Sequence, residues 1–195
     1  MNKLYRIPII VLLLLSSCKS NKKAIELNLL QSESFVVLKF NKEYKKIIKI
    51  QLPVNVTITN NSINKRVFNS IKYQYNDYRD GIGTLLCIKS NNNNLIRLKN
   101  NRNIELKPYS KNEYIIYSTH RLDSVSSIQQ QFQPYIEKML QLDQDTLHIG
   151  TVTEFKKKHK ELFNRLTKND SISIRFLDKS TKSGLGERIT VPVEW

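Results

Sequence analysis

From 35 to about 122 the chain switches repeatedly between short runs of alternating apolar and polar residues and polar turns, the pattern of strands in an antiparallel sheet protein. Val54-Asn55-Val56-Thr57-Ile58-Thr59 alternates strictly, which sets Val54, Val56 and Ile58 on one face, and Asn60-Asn61-Ser62 ends the run. The stretch 66–75 follows, with Val67, Ile71, Tyr73 and Tyr75 expected on one side and Asn76-Asp77 and Asp80-Gly81 closing it as turn residues. Further strands are predicted at 84–89, 95–98, 104–106 and 113–120, with Asn91 to Asn94 as a solvated tip between two of them.

Beyond 122 the period lengthens from two to about 3.6. Ile128, Phe132, Ile136, Met139 and Leu140 predict an amphipathic helix, with Pro134 imposing a kink or a later start. Thr151-Val152-Thr153-Glu154 fits a capping box, and Val152, Phe155, Leu162 and Leu166 then form the apolar stripe of a second helix. Two alternating runs, 171–176 and 188–195, return to the strand period and are joined by a loop holding Gly184 and Gly186. The predicted fold is mainly β: an antiparallel β-sandwich over 34–195, with a two-helix insertion at about 125–167 before the last two strands.

Composition narrows the chemistry more than it identifies a partner. Five Gly, two Cys and three His leave no material for a Gly-rich nucleotide loop, a disulfide framework or a Cys/His zinc module. The 32 Lys and Arg outnumber 17 Asp and Glu. The chain also has 23 Lys, 22 Ile and 20 Asn against a single Ala, the bias of an AT-rich coding sequence, so its charge says little about a partner.

At the start, Lys3 and Arg6 precede a nine-residue apolar run, Ile7 to Leu15, broken only by Pro8. At 1.5 Å per residue it reaches less than half of the ~30 Å hydrocarbon core, which suits a signal peptide better than a spanning helix. Leu15-Ser16-Ser17-Cys18 comes next and resembles the lipobox of bacterial lipoproteins. That resemblance implies removal of residues 1–17 and lipidation of Cys18. Two or more acyl chains, at ~0.8 kcal/mol per buried CH₂, then hold the protein to a membrane. Residues 18–33 are expected to form a tether. Lys19-Ser20-Asn21-Lys22-Lys23 holds neither the Asp that the resemblance links to inner-membrane retention nor an acidic surface-export tag. The leaflet stays open, with the periplasmic side of the outer membrane as the expectation. With Cys18 modified, Cys87 has no partner for an internal disulfide, and Leu85-Leu86-Cys87-Ile88 reads as a strand burying a small hydrophobe.

Two stretches resemble bacterial immunoglobulin-like domains: Val54 to Ser62, as an early strand with its Asn/Ser turn, and Ile104 to Tyr117, as a strand, a Pro108-Tyr109-Ser110 turn and a tyrosine-bearing strand. Tyr109 stands where the family usually has Gly. The resemblance implies an immunoglobulin-like sandwich and no particular activity.

No catalytic constellation, cofactor motif or metal-ligand spacing emerges. His120 and His148 read as structural or solvated and His159 as surface within a lysine-rich helix. Asn76, Asp77 and Asp80 fall short of a calcium loop. Gly81-Ile82-Gly83 reads as a hairpin bend, and Asp143 and Asp145 as an inter-helix turn. Lys156, Lys157, Lys158 and Lys160 are the candidate surface contact, since each Lys near an anionic membrane contributes ~1 kcal/mol. Nucleic acid is not expected as a partner. The expectation is a lipid-anchored envelope protein acting through protein or surface contacts. An inhibitor or immunity-type module for an envelope partner, or a small envelope hydrolase whose groups meet only in three dimensions, are the alternatives.

Overall fold

The computed structural model describes residues 23–76, 81–90, 92, 94–99, 103–123 and 125–195. It is mainly β, with two antiparallel sheets arranged as a sandwich and, among the described residues, four short helices. The strands are β1 (Ile25–Gln31), β2 (Val36–Asn41), β3 (Lys46–Asn60), β4 (Arg66–Gln74), β5 (Gly81–Lys89), β6 (Leu95–Leu98), β7 (Ile104–Leu106), β8 (Lys111–Arg121), β9 (Thr146–Ile149), β10 (Ser171–Leu177) and β11 (Leu185–Pro192). The helices are α1 (Ser126–Gln130), α2 (Gln133–Gln141), α3 (Val152–Lys158) and α4 (Lys160–Thr167).

The larger sheet runs β6-β5-β8-β3-β2-β9, and the smaller β11-β10-β4-β7. β3 is the long member. One edge pairs with β8 from Lys49 to Thr59, while the other is shared by β2 along its first half and β1 along its second. Pro53, which has no N–H to donate, lies in β3 between the last β2 pair, Val37↔Gln51, and the last β1 pair, Gln31↔Val54, so no ladder bond is lost there. At the far end Asn61 grips the chain ahead of β1, donating its backbone N–H to Ala24 O at 2.8 Å and its side-chain amide to Lys23 O at 3.1 Å.

From Ile50 to Ile58 one face of β3 is apolar, because Ile50, Leu52, Val54, Val56 and Ile58 alternate with Gln51, Pro53, Asn55 and Thr57. Two different layers cover that face. Over Val54, Val56 and Ile58 lies the smaller sheet, with Phe68, Ile71, Ile172, Ile174 and Phe176. Over Val36, Leu38, Ile47, Ile50 and Leu52 lie the helices, with Phe132, Met139, Phe155, Phe163 and Leu166. On the opposite face of the larger sheet, Val37, Cys87, Ile115 and Tyr117 form a small apolar cluster of their own.

Several expectations are corrected. Ile25–Gln31, inside the stretch expected as a tether, is a strand: Ile25 and Leu27 are buried in the sandwich core, beside the inward residues of β3. The insertion holds four helices and a strand rather than two helices. Pro134 marks the later start, one of the two expected outcomes, in the first turn of α2, while the second helix breaks at His159. Between the pairs lies β9, whose Leu147 and Ile149 extend the larger sheet beside β2. On β4 it is Phe68, not Val67, that faces inward. The register slips by one residue between Ser70↔Arg175 and Phe68↔Phe176, and such a slip exchanges the two faces. The capping box is present as expected: Glu154 N–H donates to Thr151 Oγ1, and Thr151 N–H to Glu154 Oε2 at 2.6 Å.

Candidate functional site

The chemistry-bearing residues that the fold brings together lie where the sandwich core meets the helix-covered core. On β8, Ser118 and His120 are two residues apart and both point inward. Their side chains meet at 2.9 Å, Ser118 Oγ to His120 Nε2, and Ser118 Oγ also lies 3.3 Å from Leu52 O. Tyr73 of β4 donates its phenol to Asp170 Oδ2 at 2.7 Å, and Asn76 donates its backbone N–H to Asp170 Oδ1 at 2.9 Å. Tyr75 donates to Gly83 O and accepts from Thr119 N–H at 2.8 Å, stitching the two sheets together. The rings of Tyr73 and Tyr75 stand nearly perpendicular to His120, their centroids 6.0 and 5.1 Å away.

A serine against a histidine, with an aspartate in the same cluster, is the outline of a nucleophile and its base. The connections differ. Asp170 is bound to Tyr73, and among the described residues His120 Nδ1 has no partner and no carboxylate orients the ring. The tautomer that satisfies most groups places the proton on Nε2. His120 then donates to Ser118, and Ser118 donates to Leu52 O, so the hydroxyl proton goes to the backbone and not to a base. Ser118 and His120 are both 0% exposed, which leaves no path for a substrate. Burial pushes His120 down to about 4, keeping it neutral. Burial also raises Asp170, although the two hydrogen bonds it accepts oppose that rise. Tyr75 is pushed up to about 12 by burial, and Tyr73 goes higher still through burial and the neighbouring Asp170. This cluster is a hydrogen-bonded seam.

Trp195 crosses the same boundary, packing on Tyr73 on one side and edge-on to Phe163 on the other, at 6.4 and 5.8 Å between centroids. Lys156 donates to Trp195 O.

The expected site residues are scattered. Cys18 lies outside the described residues, as do Asp77 and Asp80. Lys156 sits 5.6 Å over the Phe163 ring. Lys158 sits over the Tyr135 ring at 4.7 Å and donates to its hydroxyl at 2.9 Å. These two lysines are thus tied to their own domain, while Lys157 and Lys160 are exposed. His159 is not at the surface. The break between α3 and α4 turns its ring under the helices, where it stacks on Phe132 at 5.1 Å and 12°. Burial, and secondarily Lys158, holds its pKa below the usual histidine range. His148 is exposed. Asp143 turns the chain at φ 52° and pairs with Lys42, and Asp145 accepts from Thr146 Oγ1 at 2.7 Å. At Gly81 and Gly83 there is a register shift within β5 instead of a hairpin bend. Cys87 is buried, and burial raises its thiol pKa.

Sequence reading missed the seam because its members are 97 residues apart in the case of Tyr73 and Asp170. The signal available was local: Ser118 and His120 at i and i+2 share one face of a predicted strand. Among the described residues no group of three His, Cys, Asp or Glu is placed to hold a metal, and no helix is long and apolar enough to cross a membrane. No protein-family model matches the chain, and no curated protein matches it.

Proposed function

We propose that the chain is a bacterial envelope lipoprotein, anchored through Cys18 and working by contact with an envelope protein or the membrane surface rather than by turnover. The observation that carries this reading is the order Lys3/Arg6, apolar run, Leu15-Ser16-Ser17-Cys18, followed so soon by β1 at Ile25. Seven steps of fully extended chain reach at most about 25 Å, so lipid on Cys18 would keep the sandwich close against its membrane. The periplasmic side of the outer membrane fits the absence of an acidic residue from Lys19-Ser20-Asn21-Lys22-Lys23.

The immunoglobulin-like character of the sandwich is part of the same reading. It is supported by two antiparallel sheets sharing one core and by the 107–110 turn. There Tyr109 takes φ 51°, the left-handed conformation the family's usual glycine would adopt, and Ser110 Oγ closes the turn on Lys107 O at 2.7 Å. Contact with anionic headgroups falls to Lys157 and Lys160, the two members of the lysine group not tied to aromatic rings.

Metabolic labelling with radioactive palmitate, followed by membrane fractionation, tests the anchor. The wild-type chain takes up label and sediments with membranes, and Cys18→Ser does neither. A Cys18→Ser chain that still takes up label would overturn the reading.

A further inference from the structure

We propose a second site, on the outer face of the smaller sheet, that binds a phosphate group. β4, β10 and β11 place three cations there. Arg175 in β10 lies directly across from Arg188 in β11 on one side and from Ser70 in β4 on the other, and Lys72 lies two residues along β4 across from Ser173. Like charges directly opposite across a strand pair destabilise it, and this sheet keeps such a pair at its middle strand.

No carboxylate among the described residues is paired with this group. Lys42, Lys65, Arg66, Lys111 and Arg165 each have a carboxylate partner, but among the described residues Lys72, Arg175 and Arg188 have none. The three line a hollow of about 430 Å³ whose walls, among the described residues, contain no carboxylate. The hydroxyls of Ser70, Ser173 and Thr84 complete the wall. Arg175 Nε is buried there without a hydrogen-bond acceptor. Beyond Phe68 no described strand pairs with the outer edge of β4, and Asn69 to Tyr73 line the rim of the hollow.

A donor-rich, acid-free hollow with two guanidinium forks selects a tetrahedral oxyanion, because each fork can give two parallel N–H bonds to one phosphate. Phosphate also removes the repulsion between Arg175 and Arg188. The group could arrive as a free phosphate ester or as the headgroup of an anionic phospholipid, and the site does not depend on the lipid anchor.

The test is calorimetric titration of the full chain in neutral detergent micelles with two probes, inorganic phosphate and glycerophosphoglycerol. The parent binds at least one of them. Arg175→Gln and Arg188→Gln each weaken that binding about tenfold or more, the loss of one charge-assisted hydrogen-bonding group, while Lys138→Gln, at an exposed position on α2, binds like the parent. Because Arg188 is exposed, its variant folds even if Arg175→Gln does not, and without ligand it melts slightly higher than the parent, the repulsion being gone. Tighter binding of glycerophosphoglycerol assigns the site to a lipid headgroup, and tighter binding of inorganic phosphate assigns it to a free ester. The proposal is overturned if neither probe binds, if Arg188→Gln binds as the parent does, or if Lys138→Gln loses as much.

Discussion

The two cores of this molecule lie on the same face of one sheet and are covered in different ways. Over the 54–58 half of β3 the cover is a second sheet, and every strand of it is held in register by backbone pairing with its neighbours. Over the 47–52 half the cover is four short helices, none longer than nine residues, whose place is set almost wholly by side-chain packing. Helices this short are marginal in isolation, so they depend on Phe132, Phe155 and Phe163 in a way that β10 and β11 do not depend on any single residue. Equal burial therefore does not mean equal robustness.

Truncation of one fully buried phenylalanine on each side gives the largest effect. Phe68→Ala and Phe132→Ala should each cost about 3–5 kcal/mol in urea unfolding. Hydrogen exchange should separate them: Phe132→Ala lowers protection in α1–α4 first and spares β10 and β11, whereas Phe68→Ala lowers it everywhere. Equal loss of protection in β10 and β11 in both variants would mean the cores melt as one unit.

Acid should act on both sides of the seam. His120 is neutral in the fold and titrates near 4, against 6.5 when unfolded, so the unfolded chain takes up the proton first and stability falls as pH drops through that window. The loss by pH 4 is about 3 kcal/mol. His159, also lowered by burial, pushes the same way from the helical side, while Asp170, raised by burial, opposes at the acid end. Urea melts between pH 7 and 4 should show a shallower slope for His120→Phe. The slope that remains measures the helical core, and an unchanged slope would remove His120 from the account.

Trp195 touches both covers, so its couplings report how tightly they are joined. Double-mutant cycles of Trp195→Ala with Tyr73→Ala and with Phe163→Ala should each give about 0.5–1.5 kcal/mol of interaction. A zero on either arm would make Trp195 a member of one core only.

The smallest effect belongs to the opposite face of the larger sheet. Cys87→Ala should cost about 1 kcal/mol, and the folded protein should resist alkylation until denaturant is added. Rapid modification in buffer would show that the Val37, Ile115 and Tyr117 cluster opens readily.

Legibility along the sequence follows the same division. Strand alternation at 54–59 and 171–176, and the Thr151/Glu154 capping box, are local patterns, and they read correctly because local sterics and hydrogen bonds decide them. β1 was hidden because Leu29 and Leu30 obscure its alternation. β9 was hidden because four residues carry too little period. The His159 break and the inward Phe68 depend on what lies across the gap, which no window along the chain contains. The seam is the extreme case, since Tyr73, Ser118, His120 and Asp170 acquire meaning only when β4 is laid over β8. The three cations of the outer face became a group only through the β4-β10-β11 register.

The pairing of β1 with β3 also sets how the domain bears load. Any pull delivered by the segment ahead of Lys23 enters at the Asn61 clamp and then at Ile25↔Asn60. Drawn along the strand axis, it is carried in shear by seven residue pairs and the clamp together, and the strand holds until they fail collectively. Drawn across the axis, it meets them one at a time. Asn61 lets go first, and the strand then peels back toward Gln31, where the gap before β2 halts the tear and leaves the sheet from Val36 onward intact.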